Sequence, residues 1–424
     1  MFYIQRVDMI GIKKSSVSCM ARYITAMLIV SLTMAYASMT NGIVYDQRTF
    51  KPIAGAIVTS GNKEYRTDKS GVFNVPSAEK IGIRAIGYER KFYTSGGNIY
   101  LNPVIPKALY LSSFGATNGK IMGNAKHLIR TTELNALVID IKMDRGQIAY
   151  KTSNPTANKI GAQNVILFKD LKQYVADLKK EGIYTIARIV SFKDTPFVTA
   201  HPHLGVKNSN GTLFKDKEKL YWIDPSQKRA WDYIVTIAKE SAEAGFDEIQ
   251  FDYVRFPDRQ GLVFSVKNTQ QERAKTIGEF LKYARTQLTP YNVFVTADIF
   301  GYVCWNDGDL GIGQKVDEVA KHVDYIAPML YPSGFSTGIP GHRNPVAANY
   351  AIVKKTLDKS LEKSGGSPLM YRPWLQAFRD YAFDRRNYGD KEIREQIRAS
   401  KDFGSSGWML WNPRNIYSSA GLSR

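Results

Sequence analysis

At 424 residues, with 44% hydrophobic and 23% charged side chains, the chain is globular rather than disordered and long enough for one large domain plus a small one. Its formal charge of +19 suits polyanions such as acidic glycans, lipid headgroups or nucleic acid. The lysines are spread over helix-like segments such as 169–180 and no basic run of nucleic-acid type appears, so nucleic acid is set aside in favour of solvated helix faces or an anionic envelope polymer.

The first residues form a segment of their own. Arg6, Lys13, Lys14 and Arg22 make a basic leader, Tyr23 to Met34 an apolar core, and Ala35-Tyr36-Ala37 a small-x-small cleavage pattern. The apolar run is short for a bilayer span, which needs roughly 20 residues. Residues 1–37 therefore read as a cleaved signal peptide, with an uncleaved membrane anchor as the alternative. Either way the body is exported, to the periplasm, the cell envelope or the medium. Without these residues the charge is +16, since they hold four basic side chains and one acidic. Of two cysteines, Cys19 falls in this segment and only Cys304 follows it, which excludes an internal disulfide and any cysteine-based zinc motif.

Residues 41–103 are short β runs separated by turn residues, the pattern of a small all-β sandwich. Their phrases Gly42–Asp46, Lys51–Val58, Thr67–Phe73 and Ala85–Tyr88 resemble the carboxypeptidase-regulatory-like β-sandwich family. That resemblance implies an accessory module.

From Lys107 to the end at 424, strand and helix patterns alternate. Strands are expected at 108–112, 136–142, 184–190, 248–254, 293–298, 325–331, 373–378 and 408–411. Helices are expected at 120–132, 169–181, 226–243, 270–288, 314–321, 345–363 and 390–402. Asp224-Pro225 and Asn344-Pro345 each place a capping side chain before a proline at a helix start, and Gly182, Gly245 and Gly404 mark helix ends. Eight β units with seven helices between them predict a (β/α)8 TIM barrel. Only thirteen residues follow the eighth strand, so the closing helix is short or absent and an incomplete barrel stays open as an alternative. No strand runs into a dinucleotide fingerprint or a P-loop, and Gly311-Ile312-Gly313 is a weak match.

Barrel active sites lie at the C-terminal strand ends. The polar residues there are Asp140, Lys142, Arg188, Gln250, Asp252, Asp298 and Gln376, more than core packing tolerates without a ligand. In 248–254, Ile249, Phe251 and Tyr253 share one face and Glu248, Gln250 and Asp252 the other. Asp252 and Asp298, from neighbouring strands, suit glycosidic cleavage, in which one carboxyl protonates the leaving oxygen and an ionised partner attacks, stabilises or activates water. We assign Asp252 as nucleophile or base and Asp298 as general acid. Asp140, Lys142, Arg188, Gln250, Arg255 and Gln376 would bind or polarise the sugar, and Tyr331 and Trp411 would serve as stacking platforms among Trp222, Tyr253, Tyr302, Trp305 and Trp374. The plainer reading of any one of these acids is a loop residue or a salt bridge, for Asp252 to Arg255. His201-Pro202-His203 reads as a loop turn and not a metal site, no G-x-S-x-G elbow occurs, and the two-carboxylate chemistry needs no metal or organic cofactor.

Together Tyr110–Ser112, Glu133–Lys142 with Gly146, and Gly245–Pro257 resemble the putative glycosyl hydrolase domain family, as do Ala297–Gly301, Asp324–Pro332 and Trp374–Phe378. The resemblance spans roughly 107–417 and implies a TIM-barrel relative of the glycoside hydrolases. More distantly, a strand-4 Asp two residues after a polar side chain, followed by a strand-5 acid, is similar to the α-amylase superfamily, whose strand-5 acid is a Glu where Asp298 stands here. The expected substrate is a polysaccharide or oligosaccharide, with anionic polymers first in view of the charge. The competing expectations are a non-catalytic carbohydrate-binding or envelope protein on the same barrel, and a polysaccharide deacetylase, which would need a metal.

Overall fold

A computed structural model describes residues 38–424. The expected export segment and Cys19 lie outside the described residues. Seven short strands come first: β1 (Met39–Asp46), β2 (Ile57–Ser60), β3 (Lys63–Arg66), β4 (Val72–Pro76), β5 (Ile81–Arg84), β6 (Lys91–Tyr93) and β7 (Gly97–Leu101). They form two sheets, ordered β4-β1-β7 and β3-β2-β5-β6. Every pairing is antiparallel except that of β1 with β7. Because strand side chains alternate between faces, Val44, Val58, Phe73, Val75, Ile83 and Ile99 meet in one buried cluster between the sheets.

Eight parallel strands then close into a barrel: β8 (Lys107–Leu111), β9 (Ala136–Lys142), β10 (Tyr184–Val190), β12 (Glu248–Asp252), β14 (Phe294–Phe300), β15 (Tyr325–Met329), β16 (Trp374–Gln376) and β17 (Trp408–Trp411). Two further short strands, β11 (Lys207–Asn208) and β13 (Leu262–Val263), pair as an antiparallel ribbon. The ribbon ties the long loop after β10 to the one after β12. This is the expected (β/α)8 architecture, and closure overturns the incomplete-barrel alternative. No helix follows β17 among the described residues, and the C-terminal tail takes its place. Tyr417 Oη donates to the Tyr110 carbonyl at 2.8 Å, and Ser423 O accepts from the Glu133 amide at 2.8 Å. Asn415 Oδ1 accepts from the Ser112 hydroxyl at 2.8 Å.

Two helix starts differ from expectation. The helix expected from 226 runs Trp231–Ala244, because the Asp224 carboxylate is engaged elsewhere. It accepts from the amides of Ser226 at 3.0 Å and Ser265 at 2.7 Å, pinning the loop after β12 instead of capping a helix. Asn344-Pro345 opens only a 3-10 turn, and the helix proper is Asn349–Ser364. Gly245 and Gly404 do end helices, in the left-handed conformation at φ of 107° and 85°. No helix among the described residues is long and apolar enough to cross a membrane.

The N-terminal sheets pack on the N-terminal ends of the barrel strands, opposite the expected mouth. Arg84, 1% exposed, pairs with Glu64, lies 3.7 Å from Asp324 just before β15, and donates to Asn292 Oδ1 at 3.1 Å. Arg285 bridges Glu64 at 2.9 Å and Asp324 at 3.0 Å. Arg90 donates to the Phe246 carbonyl at 2.7 Å, and Tyr325 Oη accepts from the Gly87 amide at 3.1 Å. Just inside this floor, the fully buried Arg372 pairs with Glu248, which also accepts from Tyr184 Oη at 3.0 Å and Thr296 Oγ1 at 2.6 Å. A Cβ at Gly82 would come within 2.5 Å of Asn292, so the seam has no room for a side chain there.

Removing one partner from a buried ion pair leaves an uncompensated charge, at a cost of about 3 kcal/mol or more. Arg84→Ala is therefore expected to lower the urea unfolding midpoint clearly, and Gly82→Ala to lower it by steric wedging. Unchanged midpoints for both would mean that this seam does not hold the two parts together.

Candidate active site

Alternation along each barrel strand decides what faces the interior. Ile249 and Phe251 pack against the helices, whereas Glu248, Gln250 and Asp252 of β12 point inward, in three tiers from floor to mouth. The uppermost tier is organised by Arg188 of β10. Its Nη1 donates to Asp140 Oδ1 at 2.6 Å, and its Nε and Nη2 donate to Asp252 Oδ2 at 2.9 and 2.6 Å. Nη2 also reaches Asp144 Oδ1 at 3.3 Å. The guanidinium lies 5.1 Å from the Trp411 ring centroid and 5.7 Å from that of Tyr110. Tyr110 Oη donates to the second Asp140 oxygen at 2.6 Å.

One cation among three carboxylates leaves the tier rich in negative charge, and a fourth acid stands beside it. β12 and β14 run in register through Phe251 and Ala297, so the next residues, Asp252 and Asp298, stand side by side. Asp298 is 1% exposed; its Oδ1 accepts from Trp374 Nε1 at 2.8 Å and its Oδ2 has no partner. Burial, reinforced by the charge on Asp252 and opposed by Arg188, holds its carboxyl well above the usual range. Burial likewise raises Asp140 to about 6, against the pull of Arg188.

Above this tier lies a cavity of about 210 Å³, walled by Asp252, Arg188 and Asp144 on one side and by Tyr331, Trp374 and Trp411 on the other. Tyr253, Arg255 and Phe300 form its rim. Tyr253 has a left-handed backbone at φ 49°, unusual for a bulky residue. The strand direction ends there, so Tyr253 leaves the face that parity predicted and joins the mouth. Two larger hollows continue from the rim. One, of about 440 Å³, runs past Phe300 to Tyr302 and Trp305. The other, of about 560 Å³, runs past Tyr253 to Trp222 and Phe214. Arg255 lines all three.

Of the residues expected at the site, Asp252, Arg188, Arg255, Tyr331 and Trp411 meet at the cavity. Five need correction. Lys142 is wholly buried, paired with Asp194 at 2.8 Å and bonded to the Val190 carbonyl at 2.8 Å, so it holds the loop after β10 and does not touch the hollow. A register shift in the β9–β10 pairing between Arg188 and Ile189 separates it from Asp140. Gln250 lies one tier lower, against Met409 sulfur at 3.4 Å. Gln376 is consumed by the Ser333 amide at 3.0 Å and hydroxyl at 2.7 Å. Asp140 sits behind Arg188 and Tyr110, and Asp298 lies beneath the cavity floor and not on its wall. Asp252 is not paired with Arg255, as the plainer reading had it, but with Arg188. His201 and His203 flank and occupy a 3-10 turn, Pro202–Leu204, away from this cavity. Asp144 was missed; its position two residues beyond β9 was the available signal.

The model of the putative glycosyl hydrolase domain family matches residues 108–417. The chain belongs to that family. Its structural likenesses share the fold. The PgaB (BpsB) glycoside hydrolase domain from Bordetella bronchiseptica superposes with a TM-score of 0.55 at 13% identity, over 74% of this chain and 95% of that one. The β-galactosidase from the psychrophilic Marinomonas ef1 gives 0.54 at 9% identity, over 72% and 54%. At these identities the likeness is one of fold. A hypothetical protein from Ruminiclostridium thermocellum ATCC 27405 is 36% identical over 45% of this chain and 96% of its own, with a TM-score of 0.41. No curated protein matches the sequence.

Because the folded chain binds the Asp298 proton more tightly than the unfolded chain does, it holds more protons above pH 3.8, the ordinary value for this group. Stability then falls as pH rises through that window. Asp298→Asn, which carries no proton to lose, is expected to flatten the decline in urea midpoint between acid and neutral pH. An unchanged slope would show that Asp298 ionises in the folded protein as freely as in the unfolded one.

Proposed function

We propose that this domain hydrolyses O-glycosidic bonds of a polysaccharide through Asp252 and Asp298. The observation that carries the reading is a carboxylate clamped by Arg188 on the wall of a ring-lined cavity, directly beside a carboxyl that burial holds well above its ordinary range. Asp252 would attack the anomeric carbon while Asp298 protonates the leaving oxygen. A carboxyl separation of roughly 5–5.5 Å would give retention of configuration and one of roughly 6.5–9.5 Å inversion. Trp374, Trp411 and Tyr331 offer flat apolar faces to a sugar ring, and the hollows on both sides of the central cavity suit a chain that runs through the site. We read the N-terminal sheets as an accessory module that closes the barrel floor.

A second assignment of the acid has its own support. Asp144 lines the cavity with its side chain 42% exposed, whereas Asp298 must act from beneath the floor. Substrates with activated aryl leaving groups need no proton, so they separate the two: the true acid is the residue whose Asn variant loses turnover on the polysaccharide but keeps it on the aryl glycoside.

Asp252→Asn is expected to lower the release of reducing ends by 10³-fold or more, on the order of losing a group that acts in the transition state, with glycan binding retained. Unimpaired hydrolysis by that variant rejects the assignment. Binding without hydrolysis by the native protein, across envelope and storage glycans with acidic polymers first, favours the non-catalytic carbohydrate-binding reading.

We propose that residues 1–37 direct export, so that this chemistry takes place outside the cytoplasm. Terminal sequencing of protein recovered from the periplasm or medium is expected to begin at residue 38, after Ala37. A product retaining residues 1–37 in the membrane fraction supports the anchor instead.

A further inference from the structure

Where the three hollows meet stands a cation that makes no ion pair among the described residues. Arg84, Arg188, Arg273, Arg285 and Arg372 each have a carboxylate partner. Arg255 has none among the described residues. Its guanidinium sits among three rings, 4.9 Å from the Trp222 centroid, 5.4 Å from Tyr253 and 5.7 Å from Phe300. Its one hydrogen bond goes from Nη1 to the Phe256 carbonyl at 3.1 Å. A guanidinium carries five N–H donors in a rigid fork, so most of this fork is free on the rim of the cavity. Stacking on aromatic faces holds such a group flat and stiff.

The acids nearby do not supply the missing partner. Asp252 is taken by Arg188, and Asp216 pairs with Lys193 at 3.2 Å. Glu218 also pairs with Lys193, at 2.8 Å. Asp258, which shares the rim of both larger hollows, is exposed and has no ion-pair partner. Along the hollow of about 560 Å³, Lys215, Lys217 and Arg259 are likewise without carboxylate partners. That arm therefore has more free cations than free acids, and Arg255 is the one nearest the catalytic cavity.

We propose that Arg255 recognises an oxyanion substituent on the sugar, a carboxylate, phosphate or sulfate, so that the substrate is an acidic polysaccharide held with a charged residue beside the scissile bond. The inference rests on the glycosidase reading of the same cleft. A planar fork meets two oxygens of one such group at once, and the three rings around it present the apolar sides on which the bearing sugar can lie. The charged group would replace water on a cation that the fold has left without a partner.

The test is calorimetric binding to Asp252→Asn, which retains the cleft while suppressing turnover. The probes are an oligogalacturonide and its carboxyl-reduced form, with phosphorylated and sulfated oligosaccharides set against their unsubstituted parents. At least one charged probe is expected to bind about tenfold or more tighter than its neutral counterpart, in line with a hydrogen bond to a charged group. Adding Arg255→Gln should abolish that preference, so that charged and neutral probes of a pair then bind alike. Arg255→Lys, which keeps the charge and loses the fork, should recover part of it and guards against loss of fold. Equal affinity for charged and neutral partners in every pair overturns the proposal. So does a preference that survives Arg255→Gln, which would assign it to Lys215, Lys217 and Arg259. Hydrolysis by the native protein is scored separately. Turnover without charge preference sinks this inference alone, and charge-dependent binding without turnover sinks the glycosidase reading alone.

Discussion

The guanidinium of Arg188 is the constraint on which the mouth of the barrel depends. It gathers Asp140 from β9, Asp252 from β12 and Asp144 from the loop after β9 onto one cation. Without it these carboxylates would repel one another in a region of low dielectric, where like charges interact far more strongly than in water. With it, Asp252 is held in an ion pair at the cavity wall, while burial holds the carboxyl of its neighbour on β14 well above the usual range. The difference in surroundings between Asp252 and Asp298 follows from where a single arginine reaches and where it does not: it bonds directly to Asp252, while its pull on Asp298 is outweighed by burial.

The barrel interior stacks two charged tiers with a quieter one between them. At the floor, Arg372 and Glu248 neutralise each other among Tyr184, Thr296 and Tyr325. Gln250 and Met409 occupy the middle, and the Arg188 cluster lies above. The N-terminal sheets cap the floor through Arg84, Arg90 and Asn292. Buried ion pairs are weak contributors to stability; here the lower one fills the narrow end of the barrel with matched groups.

The cleft above is shaped by backbone as much as by side chains. The left-handed turn at Tyr253 ends β12 abruptly, and it sets Tyr253 and Arg255 on the rim. The β11–β13 ribbon and the pinning of Ser265 by Asp224 hold the two loops that wall the larger arm. Bonds of this kind lower the entropy cost of ordering aromatic faces at each binding event.

Much of this was legible in the chain itself. Period-two and period-3.6 patterns, glycine helix ends and the order of the β units determined the barrel, because those signals are local and each reports which face of an element is apolar. The same parity identified Asp252 as an inward acid, and position at a strand end put Arg188 among the residues of the same mouth. What only the tertiary structure decided were the partnerships. Lys142 looked like a mouth residue until a register shift set it against Asp194, and Gln376 until Ser333 claimed it. Asp144 escaped notice because it lies past the end of a strand, where alternation no longer says which way a side chain points. Burial, unequal between two identical carboxyls on adjacent strands, is a property of everything packed around them, and no stretch of sequence near Asp298 records it.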